Sequence, residues 1–367
     1  MRSEEDSWKM FRGNAMRTGL SSSRISRKPN LQWLIELGPM VASPVFDSSI
    51  IYTATITGRI FALQTYKRQI KWHSNIGSPI VSSPLLHGDL LIAATFDSWI
   101  KDTMGFLGRN LVVALNAKTG SEAWNFEIDG DVFSSPCIVQ DMVVVGSMNK
   151  SLVAIEIHSG YPKWTFETQG EIWSSPSFNK DKIFFGCDDG FLYCLNLDGK
   201  LQWKTKLNGK VRSSSPCLSD DLIFIGTHNG VIYCLNQYDG SIVWNKQMSK
   251  PVLSSAAVIK DLVFFASSDK KMYCFDCTKG SKRWEFETRE RIWSSPAITE
   301  NNNVLFFGSL DSHIYGLDIF TGIQTWEFPT MNIIDSSPCM ASNMLFIGGR
   351  DGLLYAFGSQ DIATYIK

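Results

Sequence analysis

Residues 170–203 contain Gly170-Glu171-Ile172-Trp173-Ser174-Ser175-Pro176, then Ile183-Phe184-Phe185-Gly186, then Asp189-Gly190-Phe191-Leu192-Tyr193-Cys194-Leu195, and finally Asp198-Gly199 ahead of Gln202-Trp203. Pro176 cannot donate to a ladder and so marks the start of a strand. Asp189-Gly190 tolerates positive φ at both turn positions and predicts a tight hairpin. Asp198-Gly199 turns the chain again before the strand that carries Trp203. Four short apolar runs, separated by turn residues at intervals of about eight to twelve positions, predict four antiparallel strands.

The same unit recurs along the chain. Trp33, Trp72, Trp124, Trp164, Trp203, Trp244, Trp284 and Trp326 are spaced by 39, 52, 40, 39, 41, 40 and 42 residues. A turn glycine precedes the tryptophan by four positions at Gly120, Gly160, Gly199, Gly240, Gly280 and Gly322. Ser-Ser-Pro or a variant follows at Ser43-Pro44, Ser83-Pro84, Ser135-Pro136, Ser175-Pro176, Ser215-Pro216, Ser255-Ala256, Ser295-Pro296 and Ser337-Pro338. A period near forty residues built from short strands is the signature of a propeller blade. The expected fold is all-β: an eight-bladed β-propeller of four-stranded antiparallel blades. No tryptophan follows Phe357, and Trp33 has no blade of its own, so the strand around Trp33 is expected to join the last blade and close the ring. Closure protects the edge that an open array would leave. Residues 1–30 are read as a leader or clamp, and residues 31–367 as a single propeller with an insertion at 99–110.

Composition narrows the functional classes. Of 367 residues, 44% are hydrophobic and 19% charged, with a formal net charge of −1. No run of one sign supports binding to nucleic acid or to an anionic membrane. No apolar stretch is long enough to span a bilayer, and Met1–Ser7 is polar, unlike a secretory signal. Cys194, Cys234 and Cys274 share one repeat position, and Cys137, Cys217 and Cys339 share another directly after Ser-Ser-Pro. Equivalent positions in different blades lie too far apart to bridge. The eight cysteines are therefore read as reduced core thiols of a cytoplasmic protein, and a monomer is expected. Cys274 and Cys277 have Cys-x-x-Cys spacing, but positions three apart on a strand face opposite ways, which argues against a redox or metal pair. No metal and no cofactor are expected.

The blade consensus, Gly-x-Ile-Trp-Ser-Ser-Pro through Phe-Phe-Gly-x-x-Asp-Gly-x-Leu-Tyr-Cys-Leu-Asn to Asp-Gly-x-x-x-Trp, resembles the pyrroloquinoline-quinone-type repeat over nearly the whole chain. The leader, Trp8-Lys9-Met10-Phe11-Arg12-Gly13-Asn14 with Arg17-Thr18-Gly19, resembles the segment that precedes such propellers. The layout is similar to the bacterial outer-membrane assembly lipoprotein propeller. The cysteine-rich blades resemble the carboxy-terminal propeller of aminoadipate-semialdehyde dehydrogenase-like acyl-activating enzymes. Quinone-dependent alcohol dehydrogenases with this repeat carry adjacent cysteines, a calcium site and a catalytic aspartate. This chain has no adjacent cysteines and no calcium-loop pattern, so the resemblance implies the blade and not the cofactor.

No nucleophile elbow, phosphate-cradling loop or zinc helix is present. His228 takes the turn slot that Asp188 holds one repeat earlier, a turn role rather than that of a ligand. The informative slot is the residue just before each Ser-Ser-Pro, where loops converge on the channel mouth. It reads Val41, Val81, Phe133, Trp173, Ser213, Leu253, Trp293 and Asp335. Variation at a fixed structural slot is where function can reside. Phe133, Trp173 and Trp293, with Arg212 and Asp335, form the candidate binding set; Glu171, Arg212, Arg291 and Asp335 are the weaker catalytic candidates. Two readings of the mouth stand: an aromatic-lined site for a peptide side chain or small molecule, or bulky side chains that plug the channel. The insertion, with Trp99 and Phe106, is read either as a lid or partner contact or as local packing on the second blade. The repeat tryptophans are expected to pack between blades. The leading functional expectation is a non-catalytic scaffold that binds a protein or peptide through the mouth face. The alternatives are an enzyme or accessory factor for a small or carrier-bound substrate, and a metabolite sensor.

Overall fold

A computed structural model describes residues 7–97 and 109–359, together with the backbone of residues 364–366. Trp99 and Phe106 lie outside the described residues. The chain first makes a short strand, β1 (Leu20–Ser21), and then β2 (Asn30–Glu36). The first blade follows as β3 (Val45–Asp47), β4 (Ile50–Ala54), β5 (Arg59–Gln64) and β6 (Gln69–Asn75), four antiparallel strands in sequence order. The pattern repeats until eight sheets have formed. The last blade supplies three strands of its own, ending in Leu353–Gly358, and β2 pairs antiparallel with that strand as the fourth. The ring thus closes where the sequence predicts. Residues 364–366 add a parallel strand outside β2.

The Ser-Ser-Pro motif builds the centre of this ring. In the fourth blade, the Ser174 hydroxyl accepts from the Gly186 amide at 2.8 Å and donates to the Gly186 carbonyl at 3.0 Å, extending the inner pairing through a side chain. The second serine links neighbouring blades. The Ser43 amide donates to Ser83 Oγ, Ser83 to Ser135, Ser135 to Ser175, Ser175 to Ser215, Ser215 to Ser255, Ser255 to Ser295, Ser295 to Ser337, and Ser337 back to Ser43, all at 2.9–3.0 Å. Eight buried serines therefore make a closed collar around the channel.

The repeat tryptophans hold the outer part of each blade to the next. Trp244 pairs across from Cys234, and a bulge in its strand precedes the pairing. The residue opposite each tryptophan is small: Ala62, Ala114, Ala154, Cys194, Cys234, Cys274, Gly316 or Ala356. The shared cysteine slot is thus a slot for a small apolar side chain beneath an indole. All eight cysteines are buried and free. The Trp244 indole N–H donates to the Cys277 carbonyl of the following blade at 2.7 Å. Its ring lies so close to Gly280 that a Cβ there would stand 2.7 Å from Cδ2, and Gly280 has φ +62°. Only glycine meets both demands without strain.

Candidate functional site

The residues before each Ser-Ser-Pro sit where the inner strands begin, so eight blades bring eight side chains to one opening. Val41, Val81, Phe133, Trp173, Ser213, Leu253, Trp293 and Asp335 all line a single cavity of about 400 Å³. Beneath them lie collar serines Ser43, Ser83, Ser135, Ser175, Ser295 and Ser337. The wall is neither uniform nor filled by its own side chains. Phe96, Phe133 and Trp173 form an arc, with ring centroids 6.2 Å and then 5.3 Å apart. Trp293 stands on the other side and is 37% exposed.

The charged groups divide into those the fold uses at the mouth and those it does not. Arg212 lies over the Trp173 ring, 4.9 Å from its centroid. Its Nε and Nη2 donate to Asp188 at 3.2 Å and 2.7 Å, and this pairing holds the guanidinium above its ordinary pKa. Lys210 also reaches Asp188, at 3.3 Å. Glu171 accepts from the Trp173 indole N–H at 2.7 Å. Asp335 lies in the wall with its carboxylate 5% exposed, and Arg350 donates to its Oδ2 from Nε at 2.9 Å and Nη2 at 2.8 Å. Burial raises the Asp335 pKa, with the arginine opposing the shift. Glu171 and Arg212 stand behind Trp173 rather than in the lining. Arg291 is exposed and absent from the described lining, and its backbone carbonyl accepts from the Leu310 amide and the Ser309 hydroxyl.

The leader closes the cavity from below. It runs along the inner strands from blade to blade. Trp8 pairs with Phe46, and Lys9, Ala15, Met16, Thr18 and Gly19 offer carbonyls to the amides of Leu86, Phe178, Leu218, Val258 and Ile298. β1 then pairs parallel with Ala297–Thr299. Phe11 reaches the cavity. Arg12 and Arg17, 1% and 0% exposed, fill the channel beneath it. Arg17 donates to the carbonyls of Phe11, Ser135, Pro136 and Pro176, and Arg12 to those of Ala256 and Pro296.

Sequence reasoning missed Phe11, Phe96, Asp188 and Arg350. Phe96, Asp188 and Arg350 occupy a second variable slot, just after the second strand of each blade, where the backbone amide bonds back to the loop before Ser-Ser-Pro. Reading that slot around the ring (Ile56, Phe96, Met148, Asp188, His228, Ser268, Leu310, Arg350) would have found them. Phe11 lies outside the repeat, and no periodic signal marks it.

A family model described as "Beta-alanine-activating enzyme, beta-propeller" matches residues 108–363. No curated protein sequence matches the chain. Among solved structures, BamB from Moraxella catarrhalis superposes with a TM-score of 0.78 at 16% identity, covering 90% of this chain and 100% of its own. A europium-containing methanol dehydrogenase gives a TM-score of 0.83 at 15% identity over 97% and 99% of the two chains. The quinohemoprotein alcohol dehydrogenase from Comamonas testosteroni gives 0.82 at 14% identity over 98% and 82%. Likeness at these identities speaks for the fold alone. The residues here do not fit a metal such as the europium of that methanol dehydrogenase: among the described residues no group of three or more His, Cys, Asp or Glu side chains could hold an ion.

Proposed function

We propose that this chain, which belongs to the beta-propeller family of the beta-alanine-activating enzyme, is a binding module whose channel mouth takes an apolar or aromatic group of a small molecule or a peptide. One observation carries the reading: the non-repeating slots of all eight blades converge on a cavity walled by Phe96, Phe133, Trp173 and Trp293 and floored by the leader. A concave site that is mostly apolar, with a few placed polar groups, suits capture of a ligand. Aromatic walls add quadrupole contacts to the area they bury. Among the described residues the wall contains no histidine or cysteine, and its one carboxylate is tied to Arg350. Such a set supports binding rather than general acid–base or nucleophilic chemistry.

Ligand-observed NMR with a panel of aromatic fragments tests this reading. Fragments that receive saturation from the wild type should lose it with Trp173→Ala and keep it with Tyr161→Ala, on an exposed rim. Equal transfer in all three proteins, or none from any fragment, would overturn it.

The family description favours a second reading, in which the module serves an enzyme that activates beta-alanine. Precipitating the chain from its own cells and assaying beta-alanine-dependent pyrophosphate exchange would test that association. Absence of exchange activity from the precipitate would count against it.

A further inference from the structure

The two leader arginines and the serine collar have a joint consequence. Arg12 and Arg17 are buried cations whose guanidinium groups, among the described residues, donate only to carbonyl oxygens, and Arg12 Nε has no partner there. No carboxylate is among the groups that shift either pKa; burial is the largest cause, and it lowers both. The carbonyl oxygens, and for Arg17 the Phe11 ring 5.4 Å from its guanidinium carbon, offset part of the cost of burying these cations, and their charge falls off slowly in a medium of low dielectric. The collar lies between these cations and the cavity. Each collar Oγ accepts one amide and donates to no acceptor among the described residues, so its hydroxyl proton remains available. Hydroxyl donors around a concave cavity, backed by positive charge, form a pattern that stabilises an oxyanion. The carboxylate of Asp335 has its own counter-cation in the wall, Arg350 on Oδ2, while its buried Oδ1 has no partner among the described residues.

From this arrangement we infer that the cavity floor is an anion subsite: a carboxylate carried on an apolar or aromatic body enters the mouth, accepts hydrogen bonds from collar hydroxyls such as those of Ser135 and Ser175, and draws charge stabilisation from Arg12 and Arg17 beneath. The inference rests on the binding function proposed above and specifies its ligand class. The apolar body sits against Phe133 and Trp173, and the charged end points into the channel. A free organic acid and the carboxyl terminus of a peptide share this chemistry.

Calorimetric titration with 2-naphthoate, the neutral 2-naphthamide and the cationic 2-naphthylmethylamine, at neutral pH and low salt, separates the possibilities. The carboxylate should bind about tenfold more tightly than the amide, the effect expected of hydrogen bonds to a charged group. Its advantage should shrink with added salt. Ser135→Ala and Ser175→Ala should each weaken naphthoate several-fold and naphthamide clearly less, and an unchanged far-ultraviolet circular dichroism spectrum shows that each variant is folded. Equal affinity for acid and amide, or preference for the amine, would overturn the anion subsite and leave the aromatic binding function standing. Failure of all three ligands to bind would overturn both. A peptide ending in phenylalanine, tested with a free and with an amidated terminus, then identifies the source: binding confined to the free terminus assigns the subsite to chain ends, and binding of naphthoate without the peptide assigns it to free acids.

Discussion

Trp284 is 9% exposed, lies in the Lys282–Glu287 strand opposite Cys274, and donates its indole N–H to the Ile319 carbonyl at 2.9 Å. Trp284→Ala should therefore cost about 3–5 kcal/mol in urea denaturation, as for other large aromatics removed from cores. A cost below about 1 kcal/mol would show that the indole is not an inter-blade contact. The turn beside it carries a pH prediction. Asp276 accepts from the Lys279 amide at 2.9 Å, from the Arg283 guanidinium at 2.7 Å and from the Thr278 hydroxyl at 3.0 Å, so its pKa falls to about 2. A carboxylate with a depressed folded pKa contributes stability above its unfolded value, near 3.9, and that contribution is lost as pH falls through about 2. The stability gap between wild type and Asp276→Asn should be constant above about pH 5 and narrow on acidification below it. A gap unchanged down to pH 2 would refute the assignment. Burial also pushes Cys194, Cys217, Cys234 and Cys274 up to about 12. The native chain should therefore react slowly with a thiol reagent at pH 8, where the thiolate is the reactive species, and should release all eight thiols on denaturation.

The leader carries the prediction at the scale of the element. Arg17→Met keeps an apolar stem but leaves the carbonyls of Ser135, Pro136 and Pro176 without their donor. Buried acceptors stripped of a partner cost about 1–3 kcal/mol each, partly offset by removal of an unpaired buried charge. The net effect should be a loss of about 2–3 kcal/mol in equilibrium unfolding; a variant as stable as wild type would show that the leader arginines do not hold the floor. The leader also shows where sequence reasoning stops. Blade strands were legible because tryptophan, turn glycine and Ser-Ser-Pro recur in fixed register, each for a packing reason that repeats. The mouth slot was legible because it stands one residue from that marker. Phe11, Arg12 and Arg17 belong to no repeat, and their partners are backbone carbonyls from several blades, which leave no trace in side-chain identity. The collar was invisible for a related reason: Ser-Ser-Pro reads as a strand start, and only the assembled ring shows that its second serine bonds to the next blade.

At the scale of the molecule, the ring has one seam, between the first and last blades, and two kinds of bond cross it. The Ser337 amide donates to Ser43 Oγ at 2.9 Å, as at every other blade junction. Elsewhere each blade's four strands are continuous in sequence, whereas the last blade borrows β2 from the amino-terminal side, with Trp33 paired to Ala356 and Leu34 to Tyr355. The borrowed strand covers Leu353–Gly358, whose six residues are all buried. A chain beginning at Leu37 would expose that apolar edge and leave its amides and carbonyls unpaired, the condition that drives strand-to-strand association. It would also lack the leader, so the inner strands would lose the carbonyls that Lys9, Ala15, Met16, Thr18 and Gly19 supply. Trp33→Ala keeps both the strand and the leader and removes only the indole, so it isolates the contribution of that side chain. Native mass spectrometry should find the truncated chain in larger assemblies than the intact protein and the Trp33→Ala chain in the same state as the intact protein, with a lower melting temperature. Identical assembly states for all three chains would show that the ring does not depend on its borrowed strand. Association of the truncated chain alone would locate the fold's closure in the amino-terminal segment that carries the leader and the borrowed strand, rather than in the Trp33 indole.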